Sequence, residues 1–160
     1  MIEEAAKLGM KLWIYDESNW PSGYAGGRVL ARALEDWILE LDGKTVRDGL
    51  GSWHELSLAG YSSTGIYRTA FEWSGPVALS SQVVLDLGHV FETARVKVNG
   101  CELEPMAWGP YCVEITPWVT PGRNELVVEV ANTNANAFEG KERVSGHLGP
   151  VRLLTCGSDG

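Results

Sequence analysis

From Gly51 onward the chain follows one pattern: short runs rich in Val, Thr, Tyr and Phe, cut at intervals by Gly, Pro, Asn and Asp. β-branched and aromatic residues suit a pleated, half-buried surface, and the residues between them are turn formers. The strands this predicts are Gly65–Trp73, Ser81–Leu87, Thr93–Val98, Tyr111–Ile115, Asn124–Ala131 and Gly149–Leu154. Alternation is clearest in the fifth, where Leu126, Val128 and Val130 fall on one face and charged residues stand among their alternates. That is the mark of an antiparallel sheet with one face on a core. Asn99-Gly100 signals a hairpin, and Pro121-Gly122 a second turn. Several short strands at this spacing predict a mainly β protein, an antiparallel β-sandwich or jelly roll.

The stretch before Gly51 reads differently. Ile2 to Tyr15 combines an amphipathic helix around Glu3–Leu8, a Gly9 stop and an apolar run, Lys11-Leu12-Trp13-Ile14-Tyr15. This is a helix-to-strand unit of an α/β protein, with no parallel partner in the chain. A turn-rich loop from Asp16 to Gly27 follows, opening on Asp16 and Glu17 and containing Trp20. Between Arg28 and Leu41 the apolar residues recur at helical spacing, yet Trp37 to Leu41 also reads as a strand entering a tight turn at Asp42-Gly43. The expectation is a short helix near 27–34, then a strand at 37–41 with Trp37, Leu39 and Leu41 on one face.

Charge and cysteine content narrow the function. The formal net charge is -8, and the 13 Lys and Arg residues form no basic run, which argues against nucleic acid. No apolar run reaches membrane-spanning length, and the acidic Met1-Ile2-Glu3-Glu4 start is unlike a secretory signal, so a cytoplasmic location is expected. Cys101, Cys112 and Cys156 form no C-x-x-C pair and no metal spacing with His54, His89 or His147. They are expected to be reduced, with Cys101 and Cys112 able to face each other across a hairpin.

Taken in order, the run 61–71, then Leu85-Asp86-Leu87-Gly88, Val96-Lys97-Val98-Asn99-Gly100, Gly122-Arg123-Asn124-Glu125-Leu126, Val130-Ala131-Asn132-Thr133 and Gly146-His147-Leu148-Gly149-Pro150-Val151 resemble the galactose-binding-like sandwich of glycoside hydrolases. Families 2 and 106, the latter of α-L-rhamnosidases, carry such a module. The resemblance spans roughly 35–154. Leu8 to Glu17, continued by Trp20-Pro21-Ser22-Gly23, looks like a strand and loop of the catalytic barrel of the same hydrolases. It implies two parts: 1–34, a barrel remnant, and 35–156, the sandwich. Relatives of this kind are often exported.

Glycoside hydrolysis needs two carboxyl groups flanking one bond, at a separation the fold holds rigidly. Asp16 and Glu17 are adjacent, so on a strand they point to opposite faces and cannot form that pair. The expected function is therefore a non-catalytic carbohydrate-binding or accessory module. The alternatives are a structural, self-associating remnant and a fragment with residual O-glycosyl hydrolase activity. Sugars bind to an apolar platform with a few placed polar groups. Trp108 and Tyr111 supply the platform chemistry in a turn-rich loop, and Asn132, Asn134 and Asn136 place amides past a strand end. His147 is a further candidate for a sugar hydroxyl. The alternative is that the aromatics cover the core and the asparagines cap turns. Trp37, Trp53 and Trp73 are expected in the core. Without a barrel, Trp13, Ile14 and Trp20 need a cover, either the sandwich or a second chain, and a homo-oligomer formed through the N-terminal segment would supply the latter. No cofactor is implied. Sandwiches of this type are often braced by calcium, for which backbone carbonyls would serve as ligands.

Overall fold

A computed structural model describes residues 28–56, 58, 61–74, 81–132 and 144–157. The helix-to-strand unit at 2–15, Asp16, Glu17 and Trp20 of the barrel-like loop, and Asn134 and Asn136 lie outside the described residues.

Thirteen strands form three antiparallel sheets among the described residues. A six-stranded sheet runs β3 (Lys44–Asp48), β2 (Ile38–Leu41), β5 (Thr64–Trp73), β11 (Gly122–Ala131), β8 (Thr93–Val98), β9 (Cys101–Glu102). A four-stranded sheet runs β1 (Arg28–Leu34), β13 (Val151–Gly157), β6 (Ser81–Asp86), β10 (Cys112–Glu114). The third sheet is small: β4 (Gly51–Ser52), β12 (Gly146–Gly149), β7 (His89–Phe91). The two larger sheets share one core. Leu39, Tyr67, Phe71, Val96, Leu126, Val128 and Val130 line it from one side, and Leu34, Val83, Leu85, Val151 and Leu153 from the other.

The sandwich is as expected, and its best-read strands are those with unbroken alternation. Leu126, Val128 and Val130 are fully buried, and β11 pairs along its whole length with β5. Trp37, Trp53 and Trp73 are core residues, and Trp37, Leu39 and Leu41 are buried on one face. Asp42-Gly43 and Asn99-Gly100 both adopt positive φ, the backbone that two-residue hairpin turns require.

Three expectations are corrected. The stretch expected as a helix near 27–34 is strand β1, paired with β13 from Arg28↔Cys156 to Leu34↔Val151. A register shift between Leu30 and Arg32 explains the misleading pattern. An extra residue breaks the period of two, so the apolar positions fall at helix-like intervals. The strand expected at Gly149–Leu154 is met from Val151 by β13, but Gly149 ends β12 in a different sheet. Pro150, which has no N–H to give a ladder, separates β12 from β13. Cys101 sits on β9 and Cys112 on β10, in different sheets, so they are not hairpin neighbours, and neither is in a disulfide.

Candidate functional site

After β9 the chain turns back along β8. Leu103 N–H donates to the Val96 carbonyl (2.9 Å), and Ala94 and Met106 exchange both backbone bonds at 2.8 Å. This anchored return carries the next residues past the start of β8 to one end of the sandwich. There Trp108 stands 79% exposed. A tryptophan so exposed contributes little to the fold, and its ring is free to meet an apolar ligand face. The loop is seated behind it: the Tyr111 ring lies under Gly109, where an added Cβ would be at 3.6 Å. The Tyr111 hydroxyl donates to the Glu92 carbonyl, and its own carbonyl accepts from Leu87 N–H at 2.9 Å. Burial first, then the Glu92 charge, push the Tyr111 hydroxyl above its ordinary pKa, so it remains a protonated donor.

The same end holds Asn132. Glu92 N–H and Thr93 Oγ1 both donate to the Ala131 carbonyl at 3.2 Å, so Tyr111, Glu92, Ala131 and Asn132 form one connected rim. Asn132 is occupied in that rim. Its Nδ2 donates to the Tyr61 carbonyl (2.7 Å) and Ser145 Oγ (3.0 Å), and its Oδ1 accepts from Ser63 N–H (3.2 Å). An amide with these partners ties three segments together.

His147 lies elsewhere, in the interior and out of reach of a ligand at the surface. It has no exposed area and meets Trp37 and Tyr67 edge-on, with ring centroids 5.6 and 5.3 Å apart. Its Nε2 donates to the Leu87 carbonyl at 2.8 Å, while Nδ1 has no hydrogen-bond partner among the described residues. Burial drives its pKa down to about 4, against a smaller upward effect of the Leu87 bond, so the ring is neutral at pH 7. The Tyr67 hydroxyl accepts from His147 N–H (3.0 Å) and Trp53 Nε1 (2.8 Å). Trp53 in turn meets Tyr61 edge-on at 5.3 Å. Trp37, His147, Tyr67, Trp53 and Tyr61 thus make one aromatic chain from the core toward the rim.

Among the described residues no group of three or more His, Cys, Asp or Glu side chains is placed to hold a metal. Two features escaped sequence reading, both on the outer face of the six-stranded sheet. One is a charge network: Lys97 Nζ lies 2.7 Å from Glu129 and 3.3 Å from Glu102, and Arg95 reaches the same two carboxylates. Their cross-strand register, Lys97↔Glu102 across the β8–β9 hairpin and Arg95↔Glu129 from β8 to β11, brings the four side chains together. The other is an open groove of about 450 Å³ lined by Asp36, Ile38, Arg68, Arg123, Glu125 and Val127. The outward positions of β8 and β11 were the available signal for the network, and those of β5 and β11 for the groove.

In fold, this is the β-sandwich that occurs as a segment of larger glycoside hydrolases. A rhamnosidase from Novosphingobium sp. PP1Y matches 91% of the chain with 16% of its own length, at a TM-score of 0.72 and 22% identity. A Ruminococcus gnavus β-glucuronidase matches 90% of the chain with 30% of its own, at a TM-score of 0.65 and 18% identity. In sequence, a protein of Formosa agariphila assigned β-glucuronidase activity by its name is 27% identical over 156 residues, 80% of this chain and 13% of that protein. No protein-family model matches. The chain therefore spans between about an eighth and a third of the proteins it resembles.

Proposed function

We propose that the chain is a non-catalytic accessory module derived from a glycoside hydrolase, and that it binds carbohydrate weakly through the rim around Trp108. The observation that carries this reading is the 79% exposure of Trp108 on a loop whose backbone is anchored to β8 and Tyr111. The backbone beneath the exposed ring is anchored, so a sugar ring stacking on it would have the indole to order and little of the loop. The match to short segments of glycoside hydrolases supports the accessory role. A second reading, a structural module without ligand, draws support from Asn132 and His147, whose polar groups are turned inward.

Titration of the protein with a panel of neutral and acidic saccharides, read by tryptophan fluorescence and NMR, separates the two. Binding is expected to quench Trp108 and to vanish in Trp108→Ala, with the unfolding midpoint unchanged. Binding that survives Trp108→Ala, or no response across the panel, would favour the structural reading. A homo-oligomer formed through the N-terminal segment is a separate proposal, checked by the mass in solution.

A further inference from the structure

We infer that the small sheet β4-β12-β7 is an acid-released latch, in which protonation of His147 expels its ring from the aromatic seat and frees β12 from the sandwich. The geometry admits only one charge state. The neutral tautomer with hydrogen on Nε2 satisfies the Leu87 carbonyl at 2.8 Å and leaves Nδ1 a bare lone pair. A second proton on Nδ1 would be a buried donor with no acceptor among the described residues, packed against the Trp37 and Tyr67 rings.

Among the described residues the surroundings offer the cation no relief. Tyr67 from β5 presents a hydroxyl, already held by two N–H donors. Asp86, next to Leu87, has its Oδ1 engaged by Gly88 N–H at 2.9 Å and lies 3.5 Å from Cys112 Sγ. On β7, His89 is exposed; β4 contributes no charged residue, and Glu35 and Asp36 beside Trp37 are exposed. Burial and the Leu87 bond are the influences on the ring, with no carboxylate among them.

Release would travel along bonds already described. β12 is pinned where His147 N–H meets Tyr67 and where Gly146, at φ +111, lies so close to Gly51 that a Cβ would sit 2.8 Å from its carbonyl oxygen. Ser145, one residue earlier, accepts from Trp53 N–H through its carbonyl (3.0 Å) and from Asn132 through its hydroxyl (3.0 Å). Opening β12 therefore unties Asn132 and, through it, the rim. That this would weaken carbohydrate binding rests on the function proposed above; the latch itself does not.

The sign follows from linkage. The closed form binds the proton only near pH 4, whereas an opened imidazole binds it near its ordinary value of 6.5, so acid favours opening. Those two values give an opening constant about 60-fold larger at about pH 4.5 than at pH 7. Hydrogen exchange, expressed as protection factors, tests this without any sugar. Amides of 145–149 are expected to lose protection by about that factor while those of β5 and β11 keep theirs, and His147→Gln, which retains a donor for Leu87, is expected to abolish the change. Loss of protection in step with β5 and β11, or an equal pH response in His147→Gln, would overturn the latch. Should that variant fail to fold, NMR titration of the wild-type ring decides: a His147 resonance titrating near 6.5 while 145–149 stay protected would refute it.

Discussion

Asn124→Ala should be among the most damaging single substitutions in this chain, although it removes only a small polar side chain. Asn124 has no exposed area. Its Oδ1 accepts from Thr120 N–H (2.8 Å), Thr120 Oγ1 (3.3 Å) and Asn99 Nδ2 (2.9 Å), and its Nδ2 donates to the carbonyls of Thr120 (2.7 Å) and Gly122 (2.8 Å). Asn99 repeats the device one turn away, donating to the Trp118 carbonyl and accepting from Glu125 N–H. The two amides join the β8–β9 hairpin to the turn that opens β11, and the Trp108 loop departs from that hairpin.

Alanine would leave Thr120 N–H and two carbonyls without their partner. A buried group stranded in this way costs roughly 1–3 kcal/mol, and water can reach part of a surface turn, so the net loss should be about 3–4 kcal/mol. That is a large fraction of the roughly 5–15 kcal/mol available to a domain of this kind. With a urea m value of about 2 kcal/mol/M, the midpoint should fall by roughly 1.5–2 M with the slope unchanged. Asn124→Asp keeps an acceptor but turns the donor into an anion facing two carbonyls, so it should lose at least as much. Urea unfolding followed by both fluorescence and circular dichroism measures these losses. A loss below about 1 kcal/mol for Asn124→Ala would refute the claim that these bonds hold the two turns together.

Two further substitutions probe the sheets. Gly65→Ala places a Cβ 2.6 Å from Trp53 Cζ2 and 3.2–3.3 Å from the Leu39 and Leu41 methyls, so it should cost about 1–3 kcal/mol, and an unchanged thermal midpoint would show that the Trp53 seat is looser than described. Lys97→Met breaks the half-exposed charge network on the outer face, where solvent and salt screen each pair, so it should leave the urea midpoint unmoved at low and high ionic strength; a clear drop would count against that screening argument.

How much of this was legible in the sequence depends on how far each decisive interaction reaches along the chain. β5, β8 and β11 could be read because period-two alternation and the Asn-Gly dyad are local. β1 could not, because a register shift defeats the period and because its identity as a strand is conferred by β13, more than a hundred residues later. The exposed Trp108 could be singled out by its turn-rich neighbours. Nothing near Asn132 or His147 marked them as internal ties, since their partners arrive from afar: Ser63 and Tyr61 lie 69 and 71 residues from Asn132, and Leu87 and Tyr67 lie 60 and 80 residues from His147.

That contrast also explains why candidate sites in a β-sandwich are hard to call from chemistry alone. A polar residue at a strand end satisfies the local description of both a ligand contact and a cap. What separates the two is whether the antiparallel topology delivers a backbone partner to it. At Asn132 it delivers two, from β5's approach, with the Ser145 hydroxyl added from the residue before β12, and the amide closes the rim. At Trp108 the chain is anchored on either side of the ring while the ring itself remains exposed. The fold therefore uses the amide to fix the loop end and leaves the indole as the group with capacity to bind, which is why the binding test is placed on Trp108 and the stability tests on Asn124 and Gly65.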